Sequence, residues 1–289
     1  MSDGALQRFT YPGVTTDIMS YIPDVVYSHR KGQELNLSLF VQKSLKYDPA
    51  HAKKLPLIVY LEGSGYLHPN YNIPLGQLAA LASHGFTLAM VTCGSFLDSW
   101  TFEEIHKNYK TAIRFLRLHA EDYGIDPENV IAWGTSSGGT SAVFAGLSGD
   151  LSEYKTEEYS EVSDRVQCVV SMAGPQDLFS LLDGTNAGKP YFDSWMARSS
   201  GLSWKALLQR GSTAHLLEKS PRHCPFYLVH SMADEMVPFH QTEQLYHRLV
   251  EMSFPVRMVV LDNAPHQNTL TTEILEDAVD FIRKVTKAS

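Results

Sequence analysis

Asn129-Val130-Ile131-Ala132-Trp133-Gly134-Thr135-Ser136-Ser137-Gly138-Gly139-Thr140-Ser141-Ala142-Val143-Phe144-Ala145 is the stretch whose reading decides the fold. An apolar run of strand character enters the turn Gly134 to Gly139, and small residues of helical character leave it. Strand, then Gly-x-Ser-x-Gly, then helix is the setting in which a serine is held on a sharp turn as a nucleophile. Only Ser136 satisfies the register, with Gly134 two residues before it and Gly138 two after; Ser137, Ser141 and Ser148 fail it. The motif is short, and an ordinary glycine-serine turn would read the same way, so the rest of the chain has to carry the decision.

Outward from this turn, apolar runs alternate with segments of helical period. Val25 to Phe40 reads as two antiparallel strands about a turn at Arg30-Lys31-Gly32-Gln33. Leu55–Leu61, Thr87–Thr92, Val166–Met172, Phe226–His230 and Val256–Leu261 read as buried strands. Helices are expected over Leu75–His84, over residues 102–123, after the Ser136 turn, over His240–Met252 and over Thr272–Lys287. In the second of these, Ile105, Tyr109, Ala112, Ile113 and Leu116 form one apolar face. Alternation of this kind implies right-handed crossovers and a mostly parallel α/β sheet covered on both faces. Ligands then sit at the carboxyl ends of the strands. From Asp177 to about Ser220 the alternation stops, and short helical pieces carry Tyr191, Phe192, Trp195 and Trp204. This segment, about residues 177–220, is expected to be a lid inserted after the sixth core strand of a single 1–289 domain.

A serine hydroxyl needs a base to take its proton and donors to hold the oxyanion that forms. In this setting the acid follows the serine and the histidine follows the acid. Asp234 lies just past the strand Phe226–His230, and His266 just past Val256–Leu261, both at the sheet edge expected for Ser136. Asp177, Glu235 and Asp262 compete for the role of acid, and His230 is expected to pack beneath the acid's loop. The oxyanion donors are expected from the N–H of Ser137 and from Ser64 or Gly65 in the loop Leu61-Glu62-Gly63-Ser64-Gly65-Tyr66. Tyr66, Trp195 and Trp204 are the candidate substrate-binding aromatics.

The chain has 289 residues, 44% hydrophobic, a net charge of −8 and a pI near 5.8. Scattered lysines and arginines on an acidic chain exclude a nucleic-acid backbone partner. No apolar run approaches a membrane span, and Met1 to Arg8 contains no apolar signal core. Three cysteines, Cys93, Cys168 and Cys224, sit in or beside strand-like stretches. They point to buried thiols and a reducing, cytoplasmic compartment.

Together these motifs resemble α/β-hydrolases, most closely the BD-FAE-like and acetyl-hydrolase esterases related to the hormone-sensitive-lipase group. The resemblance runs through Tyr123-Gly124-Ile125-Asp126-Pro127-Glu128-Asn129-Val130, the Ser136 turn, Gly174-Pro175-Gln176-Asp177-Leu178, Ala233-Asp234, Val237-Pro238 and Pro265-His266. It implies Ser136, Asp234 and His266 as a triad and hydrolysis of short acyl esters, acetyl or feruloyl esters on carbohydrates among them. It also implies a small-molecule ester as the partner, no cofactor or metal, and a homodimer. Amide or peptide cleavage by the same triad, or a non-catalytic receptor on this fold, are the alternatives. One departure stands out. The oxyanion loop of such enzymes starts His-Gly-Gly-Gly, and here Glu62 takes the place of the histidine and Ser64 that of the middle glycine. A carboxylate beside an oxyanion is unfavourable, so Glu62 is expected to turn away and hydrogen-bond to backbone behind the loop.

Overall fold

A computed structural model describes residues 19–42, 54–183, 201–221 and 224–286. The strands are β1 (Met19–Arg30), β2 (Gln33–Gln42), β3 (Leu55–Leu61), β4 (Thr87–Val91), β5 (Ile125–Thr135), β6 (Cys168–Met172), β7 (Phe226–Ser231) and β8 (Val256–Leu261). They form one sheet in the order β1-β2-β4-β3-β5-β6-β7-β8. The β1–β2 hairpin is antiparallel, as is the β2–β4 pair; every pair from β4 to β8 is parallel. The helices are α1 (Leu75–Ser83), α2 (Phe102–Leu118), α3 (Ala120–Tyr123), α4 (Ser137–Leu147), α5 (Leu178–Asp183), α6 (Trp204–Gly211), α7 (His240–Glu251) and α8 (Thr272–Thr286). This is the α/β-hydrolase arrangement expected from the sequence.

Strand period 2 sorts the side chains between two cores. Val59, Ala89, Val130 and Ala132 face the layer that includes residues of α2, α4, α6 and α7. Ile58, Tyr60, Leu88, Met90, Ile131 and Trp133 face the layer that includes α1 and α8. Both faces are covered, and that is why the central strands read as continuous apolar runs.

In α2 the sequence predicted one apolar face, but the helix is buried almost all round, including His106, Asn108, Lys110, Thr111 and Arg114. His106 is paired with Ser141 of α4 and Gly211 of α6, while residues 148–166 and the β1–β2 hairpin supply partners to Lys110, Arg114 and Asn108. Arg114 Nη1 donates to Asp164 Oδ2 at 2.8 Å, Lys110 Nζ to Ser148 O at 2.7 Å, and Arg30 to Asn108 Oδ1.

The order of the strands positions the site. From β3 the chain passes through α1 to β4 on one side, then through α2 to β5 on the other. The crevice at this reversal, outside the carboxyl ends of β3 and β5, is where such sheets bind ligands. Leu61 of β3 pairs with Gly134 of β5, so the loop at Glu62 and the turn at Ser136 leave the sheet side by side. Between β6 and β7 the described residues hold α5, α6 and a 3-10 segment, Ala214–Lys219, with no strand. Residues 184–200, with Tyr191, Phe192 and Trp195, lie outside the described residues. Among the described residues no helix is long and apolar enough to cross a membrane.

Candidate active site

Ser136 stands between β5 and α4 with φ 50° and ψ −125°, a strained conformation for a residue with a side chain. Such strain costs on the order of 1–3 kcal/mol and persists only where the surroundings over-determine it. Here Ser136 N donates to Met172 O at 2.8 Å, and Thr140 N to Ser136 O at 3.2 Å. The turn closes so tightly that a Cβ on Gly134 would lie 2.2 Å from the backbone of Gly138, which accounts for the glycine.

His266 and Asp234 come to this turn from the ends of adjacent strands, since Ser231 of β7 pairs with Leu261 of β8. His266 Nε2 lies 2.9 Å from Ser136 Oγ, and His266 Nδ1 lies 2.7 Å from Asp234 Oδ2. A carboxylate only accepts, so the proton belongs on Nδ1 and the Nε2 lone pair faces the serine hydroxyl. The His266 N–H donates to Glu235 Oε2 at 3.1 Å, so Glu235 orients the backbone of the histidine and not its ring. Asp177 is engaged as the cap of α5, accepting from Phe179 N and Ser180 N, and Asp262 is exposed.

Asp234 is held from four directions. Oδ1 accepts from Met236 N at 2.9 Å and Val237 N at 2.8 Å; Oδ2 accepts from His266 and, at 3.2 Å, from His230 Nε2. Burial alone would raise its pKa, but the hydrogen bonds from His230, His266 and the two backbone N–H groups outweigh it and hold the carboxyl well below the usual range. His230 therefore does more than pack beneath the loop. It is fully buried, its Nε2–H is shared between Asp234 and Val237 O at 2.9 Å, and its Nδ1 meets Thr242 Oγ1 at 2.6 Å. Its place at the end of β7, four residues before the acid, is the signal that could have assigned it.

The loop after β3 departs from the sequence expectation at three residues. The Ser64 N–H is directed at Ser137 Oγ, 3.1 Å away, and not into the site. Among the described residues the N–H groups of Gly65 and Ser137 donate no hydrogen bond. The Glu62 carboxylate, expected to bond to backbone, is held by hydroxyls instead. Oε1 accepts from Thr135 Oγ1 at 3.2 Å, and Oε2 accepts from Tyr60 Oη. Burial raises the Glu62 pKa, opposed by those two donors. The link to loop backbone passes through Thr135, whose Oγ1 accepts the Gly63 N–H at 2.9 Å.

Tyr66, expected at the substrate, is buried beneath the loop instead. Its ring stacks on Phe96 at 5.3 Å and meets Phe102 edge-on at 4.8 Å. An aromatic next to two glycine-like positions looks exposed in sequence, yet the turn at Tyr66, φ 65°, aims the ring at the core. Trp195 lies outside the described residues, and Trp204 opens α6.

No group of three or more His, Cys, Asp or Glu side chains that could hold a metal ion occurs among the described residues. The three cysteines are buried free thiols, and burial pushes the Cys224 thiol up to about 12.

The arrangement can therefore deprotonate a buried-edge serine through a tautomer-fixed imidazole, beside free backbone N–H groups at a helix N-terminus. Solved structures that resemble this one include esterases. A thermophilic esterase of Thermogutta terrifontis, Est2, in its propionate-bound form, superposes with a TM-score of 0.72 at 20% identity, covering 96% of this chain and 97% of that one. A truncated carbohydrate esterase from gut microbiota superposes with a TM-score of 0.76 at 18% identity, over 95% and 99% of the two chains. In sequence, the probable carboxylic ester hydrolase LipM of Mycobacterium tuberculosis is 24% identical over 205 residues, 68% of this chain and 46% of that protein. The chain spans about half the length of the curated relatives it matches. The family model described as BD-FAE matches residues 45–249, well over half of the chain, and the chain belongs to that family.

Proposed function

We propose that the protein is a serine carboxylesterase that hydrolyses short-chain acyl esters through an acyl-enzyme. The observation that carries the reading is the single imidazole of His266, bridged between Ser136 Oγ at 2.9 Å and Asp234 Oδ2 at 2.7 Å. His266 takes the proton as Ser136 Oγ attacks the ester carbonyl. Asp234 keeps the ring in the Nδ1–H tautomer and stabilises the imidazolium. The N–H groups of Ser137 and Gly65 receive the oxyanion, aided by the positive end of α4. His266 then protonates the departing alcohol and activates water, which releases the acid and frees the serine.

Short acyl groups are favoured by the propionate held in the Thermogutta esterase, and carbohydrate esters by the gut-microbiota neighbour. The connection between β6 and β7 is the part of the chain proposed to select the substrate, as a lid. The test is p-nitrophenyl ester hydrolysis across acyl chains from acetyl to octanoyl. Wild type is expected to turn over the short esters best, and Ser136→Ala to lose turnover. Full activity in Ser136→Ala would overturn the reading.

A further inference from the structure

The loop after β3 runs against the nucleophile turn with no room to spare. A Cβ on Gly63 would sit 2.6 Å from Ser136 Cβ. Two hydrogen bonds hold the backbone there, Gly63 N–H to Thr135 Oγ1 at 2.9 Å and Ser64 N–H to Ser137 Oγ at 3.1 Å. Thr135 and Ser137 are the residues on either side of Ser136. They occupy the two positions that Gly-x-Ser-x-Gly leaves open, and an alanine or valine at either would offer the amide nothing.

The direction of the protons is also set. Glu62 as a carboxylate accepts from Tyr60 and from Thr135, so Thr135 spends its one proton on Glu62 Oε1. Its remaining lone pairs are then open to the Gly63 N–H. The Ser64 hydroxyl closes the far side of the loop by donating to Leu67 O at 2.7 Å. With Gly63 and Ser64 both bound to the nucleophile turn, Gly65 is the next N–H along the loop and the first without a partner among the described residues.

We propose that Thr135 and Ser137 are positioning residues that clamp the loop to the two sides of the nucleophile, with Glu62 setting the polarity of the clamp, so that the Gly65 N–H is presented beside that of Ser137. This rests on the reading of Ser136 as nucleophile. A misplacement of about 1 Å in a catalytic array can cost about 100-fold in rate, and loss of an oxyanion donor costs about 100- to 1000-fold in kcat.

The test uses Thr135→Val, Thr135→Ser, Ser137→Ala and Glu62→Gln in the full chain, with two readouts. The first is amide hydrogen exchange over residues 62–66, read by mass spectrometry. The second is kcat and KM for p-nitrophenyl acetate. Thr135→Val and Ser137→Ala are each expected to speed exchange in this segment about tenfold or more, the scale set by an amide bond worth about 1.4 kcal/mol. Both are expected to lower kcat about 10- to 100-fold with KM nearly unchanged. Thr135→Ser keeps the hydroxyl and is expected to restore exchange and kcat together. Glu62→Gln presents an N–H to one of the two hydroxyls and is expected to loosen the segment as Thr135→Val does. Wild-type exchange in Thr135→Val and Ser137→Ala would overturn the proposal, as would a kcat loss that Thr135→Ser does not rescue. Should Thr135→Val fail to fold, Ser137→Ala and Glu62→Gln carry the same comparison. Exchange needs no turnover, so a wild-type protein that cleaves no ester would sink the functional reading while the clamp is still judged.

Discussion

Asp234→Asn removes a charge and almost no volume, which makes it the cleanest probe of the proposed catalytic array. The carboxylate accepts from Met236 N and Val237 N on Oδ1 and from His266 Nδ1 and His230 Nε2 on Oδ2. An amide can serve only one of these pairs. If its oxygen stays with the backbone, its NH₂ faces two imidazole N–H groups. His266 must then carry its proton on Nε2, where it points at Ser136 Oγ and the ring can no longer act as a base. If the amide flips, two backbone N–H groups lose their acceptor, at about 1–3 kcal/mol for each buried one. The wrong-tautomer outcome predicts a loss of about 10⁴ in kcat, or about 5.5 kcal/mol in the barrier. The assay is steady-state hydrolysis of p-nitrophenyl butyrate at pH 7, with KM nearly unchanged because Asp234 does not reach the ester. A loss below about tenfold would refute the assignment, since it would mean that something other than Asp234 fixes the tautomer. The same substitution has a second readout. The Asp234 pKa lies below its unfolded value, so its stabilisation is present above about pH 4 and is lost as the pH falls further. Wild type is therefore expected to lose stability on acidification below about pH 4 more steeply than Asp234→Asn.

Three further predictions concern the frame around the site. His106 is fully buried, with Nδ1 at 2.9 Å from Ser141 Oγ and Nε2 at 3.1 Å from Gly211 O, and burial pushes its pKa down to about 4. The unfolded chain takes up this proton first, so stability should fall by on the order of 3 kcal/mol as pH drops from about 6.5 to 4 and level off below. Urea midpoints of wild type and His106→Gln across that range check this, and equal slopes would count against it. Asp164→Asn leaves Lys110 and Arg114, both fully buried, without their counter-charge. A cost of about 3–5 kcal/mol is expected in urea unfolding, and a loss under about 1 kcal/mol would show that the backbone acceptors suffice alone. Gly134→Ala drives a Cβ into the Gly138 backbone, which has no flexible group to yield. It should cost about 1–3 kcal/mol of stability and, by displacing Ser136, about 100-fold or more in kcat.

Much of the site was legible because its chemistry is local. A continuous apolar strand, a glycine pair around Ser136 and a helix of small residues form one contiguous signal. Asp234 and His266 were proposed from their position past strand ends, and the parallel sheet, which gathers those ends on one edge, does bring both beside Ser136. What failed depended on neighbours distant in sequence. The burial of the polar side of α2 was not legible, because periodicity registers a face and not what covers it. Asp164, fifty residues beyond Arg114, supplies the charge that lets that side be buried. Tyr66 was misplaced because the direction of its ring follows from one positive φ. Ser64 was misassigned because its amide is taken by a hydroxyl seventy-three residues away.

The sequence by itself determined the alternation that makes an α/β sheet, the serine on its turn, and the order of serine, acid and histidine. Those are consequences of side-chain period, glycine sterics and strand ends, which short windows encode. Only the tertiary structure decided which N–H groups remain free beside the serine, what Glu62 does, and that His230 supports Asp234. The physical reason is hydrogen-bond saturation. A hydroxyl has one proton and an amide one bond to give, so which group is left over depends on every partner the fold brings within about 3 Å.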